Sequence, residues 1–300
     1  MIERIILRKV RKSEELILDM VSTPDFVLKS VDWGTVRGTH HSYKYVNQVG
    51  VTVTSTSLDT RSIAIEGWIV AQDETQMTYL KSRLNAFINP QEEIDLFYSN
   101  YVIRFKPDES VKYSIAFAEN NDAFSKFQIV GTAANPMFSE AIENKSIFAT
   151  TTPTFHFPLV ISESLEEKGV VFGKRTASLI VNAYNAGAVA VGMRIVFRAN
   201  GSVTNPSLIN VNTFEEFKIN KSLVAGEEIE INTNTGKKSV QGRIGNGDLV
   251  NYYMYKDIDS SWLKLEIGDN LFRYNAEEGI NGLDVFVYFS NQFLEVQECY

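Results

Sequence analysis

Histidines, the side chains most often used for metal binding and proton transfer, occur at only three positions of this 300-residue chain. His40 and His41 are adjacent, and adjacent side chains on a strand point to opposite faces, so they cannot easily share one metal ion. His156 stands alone, and the single cysteine, Cys299, lies next to the last residue. We therefore predict no metal site and no cofactor. We interpret the histidines as two exposed loop residues and one near a domain boundary.

Two other stretches have some features of ligand-binding loops but lack the residues that such loops need. Residues 242–247 have the glycines of a phosphate loop without its Lys-Ser/Thr ending, and residues 245–247 are better explained as a hairpin turn. The stretch from Asp257 begins like a calcium loop. However, Trp262 occupies its glycine position and Gly268 the position of its bidentate glutamate. A looser cation site at these aspartates stays open.

The spacing of residues in the sequence identifies neither a hydrolytic site nor a sugar-binding site. There is no Gly-x-Ser-x-Gly motif, and no particular pair of the many carboxylates stands out. Tyr252, Tyr253, Tyr255 and Trp262 could stack on sugar rings. Alternatively, Tyr253 and Tyr255 share one strand face, Tyr252 takes the other, and Trp262 packs in the core. We predict that the chain is not an enzyme.

Most of the chain alternates apolar and polar residues with a period of two, which predicts β-strands. The clearest runs are Val49–Val53, Ile63–Ile65, Phe155–Ile161, Met193–Ala199 and Val285–Phe289. Pro158 places the third run at a sheet edge. Short strands separated by Gly, Asn, Asp or Pro indicate β-sandwiches or barrels.

One helix is predicted, from Glu74 to about Ile88. Asp73 is a suitable N-cap, and Gln76 lies three residues later, as in a capping box. Asn89-Pro90 ends the helix. The apolar stripe, which we expect to pack in the core, comprises Met77, Leu80, Leu84 and Phe87 or Ile88.

The length favours two domains, because single cores seldom grow so large. A connector between about Glu140 and Thr154 separates a first domain, residues 1–145, from a second, residues 155–300. The net charge of −8 lacks the basic surplus that phosphate neutralisation needs, so we expect no specific nucleic-acid binding. The basic cluster Arg8–Lys12 is interpreted as a solvated hairpin end.

Targeting signals are not recognisable. The first residues have too short an apolar run for a signal peptide, and no stretch approaches the roughly 20 apolar residues of a membrane span. We therefore expect the chain to fold in the cytoplasm of its host, without disulfides and without contact with a membrane.

The second half contains three short motifs at which we expect turns. Asn-Pro opens a turn, Gly226 leads into a strand whose Ile229 and Ile231 share a face, and Gly268–Asn270 joins two strands in a tight loop. In full the motifs are Asn205-Pro206-Ser207-Leu208, Gly226-Glu227-Glu228-Ile229-Glu230-Ile231, and Trp262-Leu263-Lys264-Leu265 followed by Gly268-Asp269-Asn270.

In this order and spacing, the motifs resemble the C-terminal half of the distal tail proteins of siphophages, the long, flexible-tailed bacteriophages. The first half is similar to the same family at Trp33-Gly34, at the strand Arg61–Gly67 with the helix after it, and at Asn135-Pro136-Met137-Phe138. The chain departs from the pattern at Phe293–Val296, where an aromatic residue followed closely by glycine and a β-branched residue is expected.

The resemblance implies a mainly β fold with two sandwich-like domains, the first with one packed α-helix and the second galectin-like. It implies a structural virion protein that forms a hexameric ring at the tail tip, joins the tail tube to the adhesion apparatus and leaves a channel for DNA. The first domain would build the ring, and the second would project outward and help to attach that apparatus.

The partners implied are further copies of the chain, the major tail tube protein, the tail hub or tail-associated lysin and, where one exists, a receptor-binding protein. Free sheet edges are an aggregation hazard that a ring can cover. We therefore expect an edge within residues 1–140 to pack on the next subunit, and the strand Ile63–Ile69 is one candidate.

A carbohydrate-binding module or glycan hydrolase acting on the bacterial surface is the alternative function. It would need an exposed aromatic groove around Tyr253, Tyr255 and Trp262. Within the assembly role, a functional phage, a defective prophage and a tail-like bacteriocin would use the same part.

Overall fold

The computed structural model describes residues 4–11, 14–19, 25–153, 173–177 and 180–296. The chain divides into two compact units. The first comprises the residues up to Ala141 together with those from Phe293 onward, and the second comprises Ile142–Gln292.

These limits differ from the domains 1–145 and 155–300 because the last described residues return to the first unit. The Phe293 ring meets the Tyr101 ring edge-on at 5.7 Å, and Val296 packs against the first core. Nothing in the local sequence marks this long-range contact.

The first unit consists of β-strands and one α-helix, α1 (Glu74–Phe87). Its strands are β1 (Arg4–Lys9), β2 (Glu15–Asp19), β3 (Phe26–Asp32), β4 (Gly38–Tyr43), β5 (Thr52–Leu58), β6 (Arg61–Val70), β7 (Ile94–Tyr98), β8 (Tyr101–Pro107), β9 (Lys112–Tyr113), β10 (Phe124–Ala133) and β11 (Phe138–Glu140).

The larger sheet of this unit closes on itself. Its strands run in the order β8-β7-β1-β2-β3-β6-β10, and β10 pairs again with β8, which gives a barrel-like body. The apolar stripe of α1 packs in the same core as the inward faces of these strands. The expected helix and its N-cap are confirmed, since Asp73 Oδ1 accepts a hydrogen bond from the Gln76 backbone N–H at 2.7 Å.

The second unit is built from β-strands and short 3-10 turns. Its strands are β12 (Asn144–Pro153), β13 (Gly173–Ala177), β14 (Ile180–Asn185), β15 (Arg194–Ala199), β16 (Val203–Thr204), β17 (Ser207–Asn210), β18 (Glu216–Lys218), β19 (Ser222–Leu223), β20 (Glu227–Asn232), β21 (Ser239–Ile244), β22 (Val250–Asn251), β23 (Gly268–Asn275) and β24 (Leu283–Phe289). One further strand, β25 (Gln292–Phe293), lies beside β11 at the end of the larger sheet of the first unit.

These strands form a sandwich. A seven-stranded sheet, β13-β12-β24-β15-β20-β21-β22, and a four-stranded sheet, β14-β23-β17-β18, contribute to one apolar core. The alternation at Met193–Ala199 and Val285–Phe289 is confirmed as β15 and β24, whose apolar faces are buried. The fold class is therefore mainly β, with a single α-helix among the described residues.

Several sequence-based expectations need correction or lie outside the described residues. Gly268–Asn270 does not join two strands, because β23 already begins at Gly268 and the Asn270 amide closes the preceding turn onto Glu266. Lys9 is not solvated, since its ammonium is buried against Glu14 and Glu92. The run Phe155–Ile161 lies outside the described residues. Among the described residues, no helix has the length and apolarity that crossing a bilayer requires.

Candidate functional site

The candidate chemical residues do not converge. His40 and His41 lie on β4 and not in a loop, and both are exposed. His40 Nδ1 lies 2.9 Å from the Thr56 hydroxyl on β5. His156 and Cys299 fall outside the described residues. In the part of the chain that the structure describes, no group of three His, Cys, Asp or Glu side chains could hold a metal ion.

The two ligand-loop candidates are turns whose polar groups bond within the protein. Gly245 adopts a positive φ of 56° in the connection from β21 to β22, which confirms the turn predicted there. Asp257 accepts hydrogen bonds from the Asp259 backbone at 2.9 Å and from the Asn220 amide at 2.7 Å. The bond from Asn220 is the main reason why the pKa of Asp257 is lowered. One carboxylate oxygen of Asp257 therefore closes its own turn, and the other binds Asn220.

The aromatic candidates separate into two groups. Tyr253 is 52% exposed and stacks on Trp262 with 6.2 Å between the ring centroids. Tyr252 and Tyr255 instead contact each other edge-on at 5.3 Å. The structure thus brings Tyr253 and Trp262 together but leaves Tyr255 out, so the three rings do not form one groove.

The most unusual surface is an extended hairpin that we call the ribbon: β4, β5 and their connection, residues 44–51. Every β4 residue is exposed, and β5 has only exposed or partly exposed residues. Among the described residues, β4 and β5 pair only with each other. The ribbon therefore has two free edges and contributes no side chain to a core.

The end of the ribbon is apolar and locally ordered. Val46 is 91% exposed and Val49 is 100% exposed. The Tyr43 and Tyr45 rings meet edge-on at 4.8 Å. Gln48 fixes the connection, because its Oε1 accepts from the Tyr45 backbone at 3.0 Å and its Nε2 donates to the Thr52 hydroxyl at 2.8 Å. A fixed, exposed apolar surface of this kind is typical of a contact site.

The base of the ribbon is held by a buried arginine. Arg61, only 2% exposed, donates from Nε to the Pro136 carbonyl at 2.8 Å and from Nη1 to the Trp33 carbonyl at 3.1 Å. Its Nη2 donates to the Leu294 carbonyl, and the Phe138 ring lies 4.7 Å from the guanidinium carbon. Burial lowers the pKa of Arg61. We call this group, together with Gly34, the Arg61 clasp.

Position 34 of the clasp requires glycine, because of its backbone conformation and the lack of space for a Cβ atom. Its φ is +59°, and a Cβ at this position would lie 2.1 Å from the Ser62 carbonyl oxygen. Trp33 packs edge-on against Phe138 at 5.3 Å. The clasp thus fixes the chain on both sides of the ribbon, just before β4 and just after β5.

The strand Ile63–Ile69 is not a free edge. It belongs to β6, which pairs with β3 on one side and with β10 on the other. It cannot pair as a free edge with the next subunit, since its backbone hydrogen-bonding groups are already used within the sheet.

Two protein-family models match this chain, one in each half. The model for the siphovirus-type tail component, C-terminal domain, matches residues 186–293. The model for the phage tail protein RIFT-related domain matches residues 24–129. The chain belongs to the siphovirus-type tail component family. It is a component of a phage tail and hence of the virion. The curated proteins contain no match.

Solved structures of tail components share the fold. The Dit protein of phage SPP1, described as a paradigm of the hub adsorption apparatus in phages that infect Gram-positive bacteria, matches with a TM-score of 0.65 and 12% identity. The match covers 97% of this chain and 99% of that one. Two structures of the phage P2 baseplate in its activated conformation also contain a matching chain. The TM-score is 0.57 for the structure with Ca and 0.54 for the structure with Sr. Both are 10% identical, over 98% of this chain and 99% of the other.

The motifs that carry the resemblance in the first half meet in the Arg61 clasp. Trp33-Gly34, Arg61 and Pro136–Phe138 all contribute to it, although they are far apart in the sequence. Sequence reasoning missed both the clasp and the ribbon. For the clasp, the sequence contained a signal, because the motifs that carry the family resemblance in the first half are the same ones that meet there. For the ribbon, the unusual run Thr52–Leu58, rich in Thr and Ser, was the available sign.

Proposed function

We propose that this siphovirus-type tail component forms a hexameric ring at the tip of the tail. The ring would join the tail tube to the hub or tail-associated lysin and leave a channel through which DNA passes. Membership of the family and the fold shared with the SPP1 hub protein support this role. The number six comes from the resemblance to distal tail proteins.

The observation that carries the proposal is the ribbon. A two-stranded hairpin is marginally stable in water, and this one buries none of its side chains within the described chain. Its Thr- and Val-rich strands favour extended structure, and its end exposes apolar side chains. Such a surface is stabilised when a neighbouring subunit covers it.

A closed ring needs only one pair of complementary surfaces, repeated by rotation. The ribbon supplies one of these surfaces, and the first unit of the next copy supplies the other. Covering the ribbon also removes its two free edges, which would otherwise favour aggregation. For the channel, the chain's net charge of −8 fits a lining that repels phosphate and lets the duplex slide. A bore lined densely by Lys and Arg in a reconstruction of the ring would contradict that part.

The experiment compares the wild type with a variant in which Val46, Val49 and Val51 are all replaced by Ser. Mass photometry over a range of concentrations, alone and with the tail tube protein, gives the oligomeric state, and negative-stain images show whether rings are present. Because each buried valine contributes about 1.5 kcal/mol or more, loss of one should weaken assembly about tenfold, and loss of all three about a thousandfold.

The matched control replaces three exposed apolar residues of the second unit, Val224, Ile258 and Ile267, by Ser. We expect this variant to assemble like the wild type. A wild type that stays monomeric both alone and with tube protein would contradict the ring. Rings formed equally well by the Val46, Val49 and Val51 variant would remove the ribbon from the interface.

Carbohydrate binding by residues 155–300 is the second candidate, favoured by the exposed Tyr253 ring on Trp262. A single exposed ring gives a smaller stacking surface than the groove that the sequence suggested. Binding to a glycan array or to cell walls that is lost in Tyr253→Ala would support it, and unchanged binding in that variant would exclude this surface.

A further inference from the structure

A row of alternating charges crosses the seven-stranded sheet of the second unit. Asp284, Arg198, Glu228 and Arg243 lie side by side on β24, β15, β20 and β21, each in register with the next. Neighbours across an antiparallel pair point to the same face, so the four side chains share one surface.

Glu228 orients the two arginines. Its Oε2 accepts from Arg198 Nε at 2.9 Å and Nη2 at 2.7 Å, and its Oε1 accepts from Arg243 Nη2 at 2.6 Å. Burial opposes ionisation of this carboxyl group, but the hydrogen bonds from Arg198 and Arg243 outweigh it and lower the pKa of Glu228. The carboxylate therefore stays charged and occupies both of its oxygens with the arginines.

Much of the donor capacity of the arginines is not used by these bonds. A guanidinium has five N–H groups. Within the described chain, no hydrogen bond is made by Arg198 Nη1 or by the Nε and Nη1 of Arg243. About half of each of these side chains is exposed, so the remaining donors are accessible.

The two arginines and Glu228 border a small cavity of about 250 Å³. Asn200 and Asn246 line it together with the two arginines, and Gly226 and Gly245 form part of its wall. A Cβ at either glycine would meet no atom within 4 Å, so the space beside them is open. The cavity is smaller than a typical drug-sized pocket and suits a compact polar group.

We propose that this cavity binds a phosphate group between Arg198 and Arg243. Among the residues that line the cavity, two arginines stand against one carboxylate, Glu228. Asp284, the fourth member of the row, does not line the cavity and accepts a hydrogen bond from Asn200. A tetrahedral phosphate has enough oxygens to accept from both guanidinium groups at once. Glu228 already bridges the two arginines, so the phosphate would bind the N–H groups of Arg198 and Arg243 that this carboxylate leaves unused. The site does not depend on the ring.

The test titrates the full-length protein with inorganic phosphate at constant ionic strength, followed by isothermal calorimetry. We expect saturable binding of one phosphate with a Kd of about 1 mM. Arg243→Gln should weaken binding about tenfold, because it removes charge-assisted hydrogen bonds. Glu228→Gln keeps the shape of the side chain and one acceptor oxygen for the arginines but removes the negative charge, so it should tighten binding.

The opposite signs of these two effects distinguish a ligand site from a structural ion pair, since loss of folding would weaken binding in both variants. Arg273→Gln, an exposed arginine on β23 in the other sheet, is the matched control and should bind like the wild type. Circular dichroism checks that each variant is folded. Effects of the same sign in Arg243→Gln and Glu228→Gln would overturn the proposal.

Further titrations identify the ligand's source. Glycerol 1-phosphate represents a monoester and dimethyl phosphate a diester, such as a polymer backbone would carry. Tighter binding of either one supports the site and assigns its source. Acetate should bind more weakly than phosphate. Equal binding of acetate, or no saturable phosphate binding up to about 20 mM, would overturn the proposal.

Discussion

At the scale of the residue, Arg61 shows how a buried charge can serve several distant segments. Its hydrogen bonds go to backbone carbonyls at Trp33, Pro136 and Leu294, and thus to three parts of the chain. The planar guanidinium fork can reach all of them, which a lysine ammonium cannot do.

Replacing Arg61 by Met should therefore lower the free energy of unfolding of the first unit by about 3 kcal/mol, because several buried carbonyls lose their donors. Arg61→Lys should recover only part of this loss. The control is Arg104→Met, whose exposed ion pair with Asp95 should contribute less than about 1 kcal/mol. Urea denaturation measures all three variants. Equal losses for Arg61→Met and Arg104→Met would show that the clasp is not a structural centre.

At the scale of the element, local signals gave the helix and several strands. Asp73, Gln76 and the apolar stripe predicted α1 almost to its last residue, because capping and helical periodicity are properties of neighbouring positions. The same holds for β15, whose alternating apolar residues are all buried. Turns at Asn205 and Gly226 were also predicted, and both residues have positive φ.

Pairing partners could not be predicted in the same way. The alternation predicts a β-strand at Val49–Val53, but β5 begins at Thr52, and both faces of the ribbon are open. Periodicity reports which side chains share a face, but not whether that face meets the same chain or another one. For the same reason, the sequence leaves open whether Ile63–Ile69 is an edge or a central strand, because its neighbours β3 and β10 lie far away in sequence.

The cap of α1 provides the prediction at this scale. Asp73→Ala removes the acceptor for the Gln76 backbone N–H and should lower the stability of the first unit by about 1 kcal/mol. Asp73→Asn keeps an acceptor at the same position and should be nearly neutral. Thermal unfolding distinguishes the two variants. Similar losses in both would mean that charge at the helix start, and not the hydrogen bond, is what matters.

At the scale of the whole molecule, the path of the chain makes the first unit depend on residues that follow the second. The chain leaves the first unit after Ala141 and returns to it at Phe293. The returning residues supply the ring that packs on Tyr101, the carbonyl that completes the Arg61 clasp, and Val296 against the core. The first unit is therefore complete only when both of its parts are present.

Truncation after Gln292 should accordingly destabilise the first unit by about 2 kcal/mol or more, through lost apolar burial and a lost hydrogen bond in the clasp. Hydrogen exchange followed by mass spectrometry should show faster exchange in β8 and β11, whereas β15, β20 and β24 keep their protection. The reciprocal control is Leu265→Ala, because Leu265 is fully buried in the second core. This variant should accelerate hydrogen exchange in the second unit and leave exchange in β8 unchanged. If truncation loosened β24 as much as β8, the two units would not be separate folding bodies. If it loosened neither, the returning segment would be dispensable for the first unit.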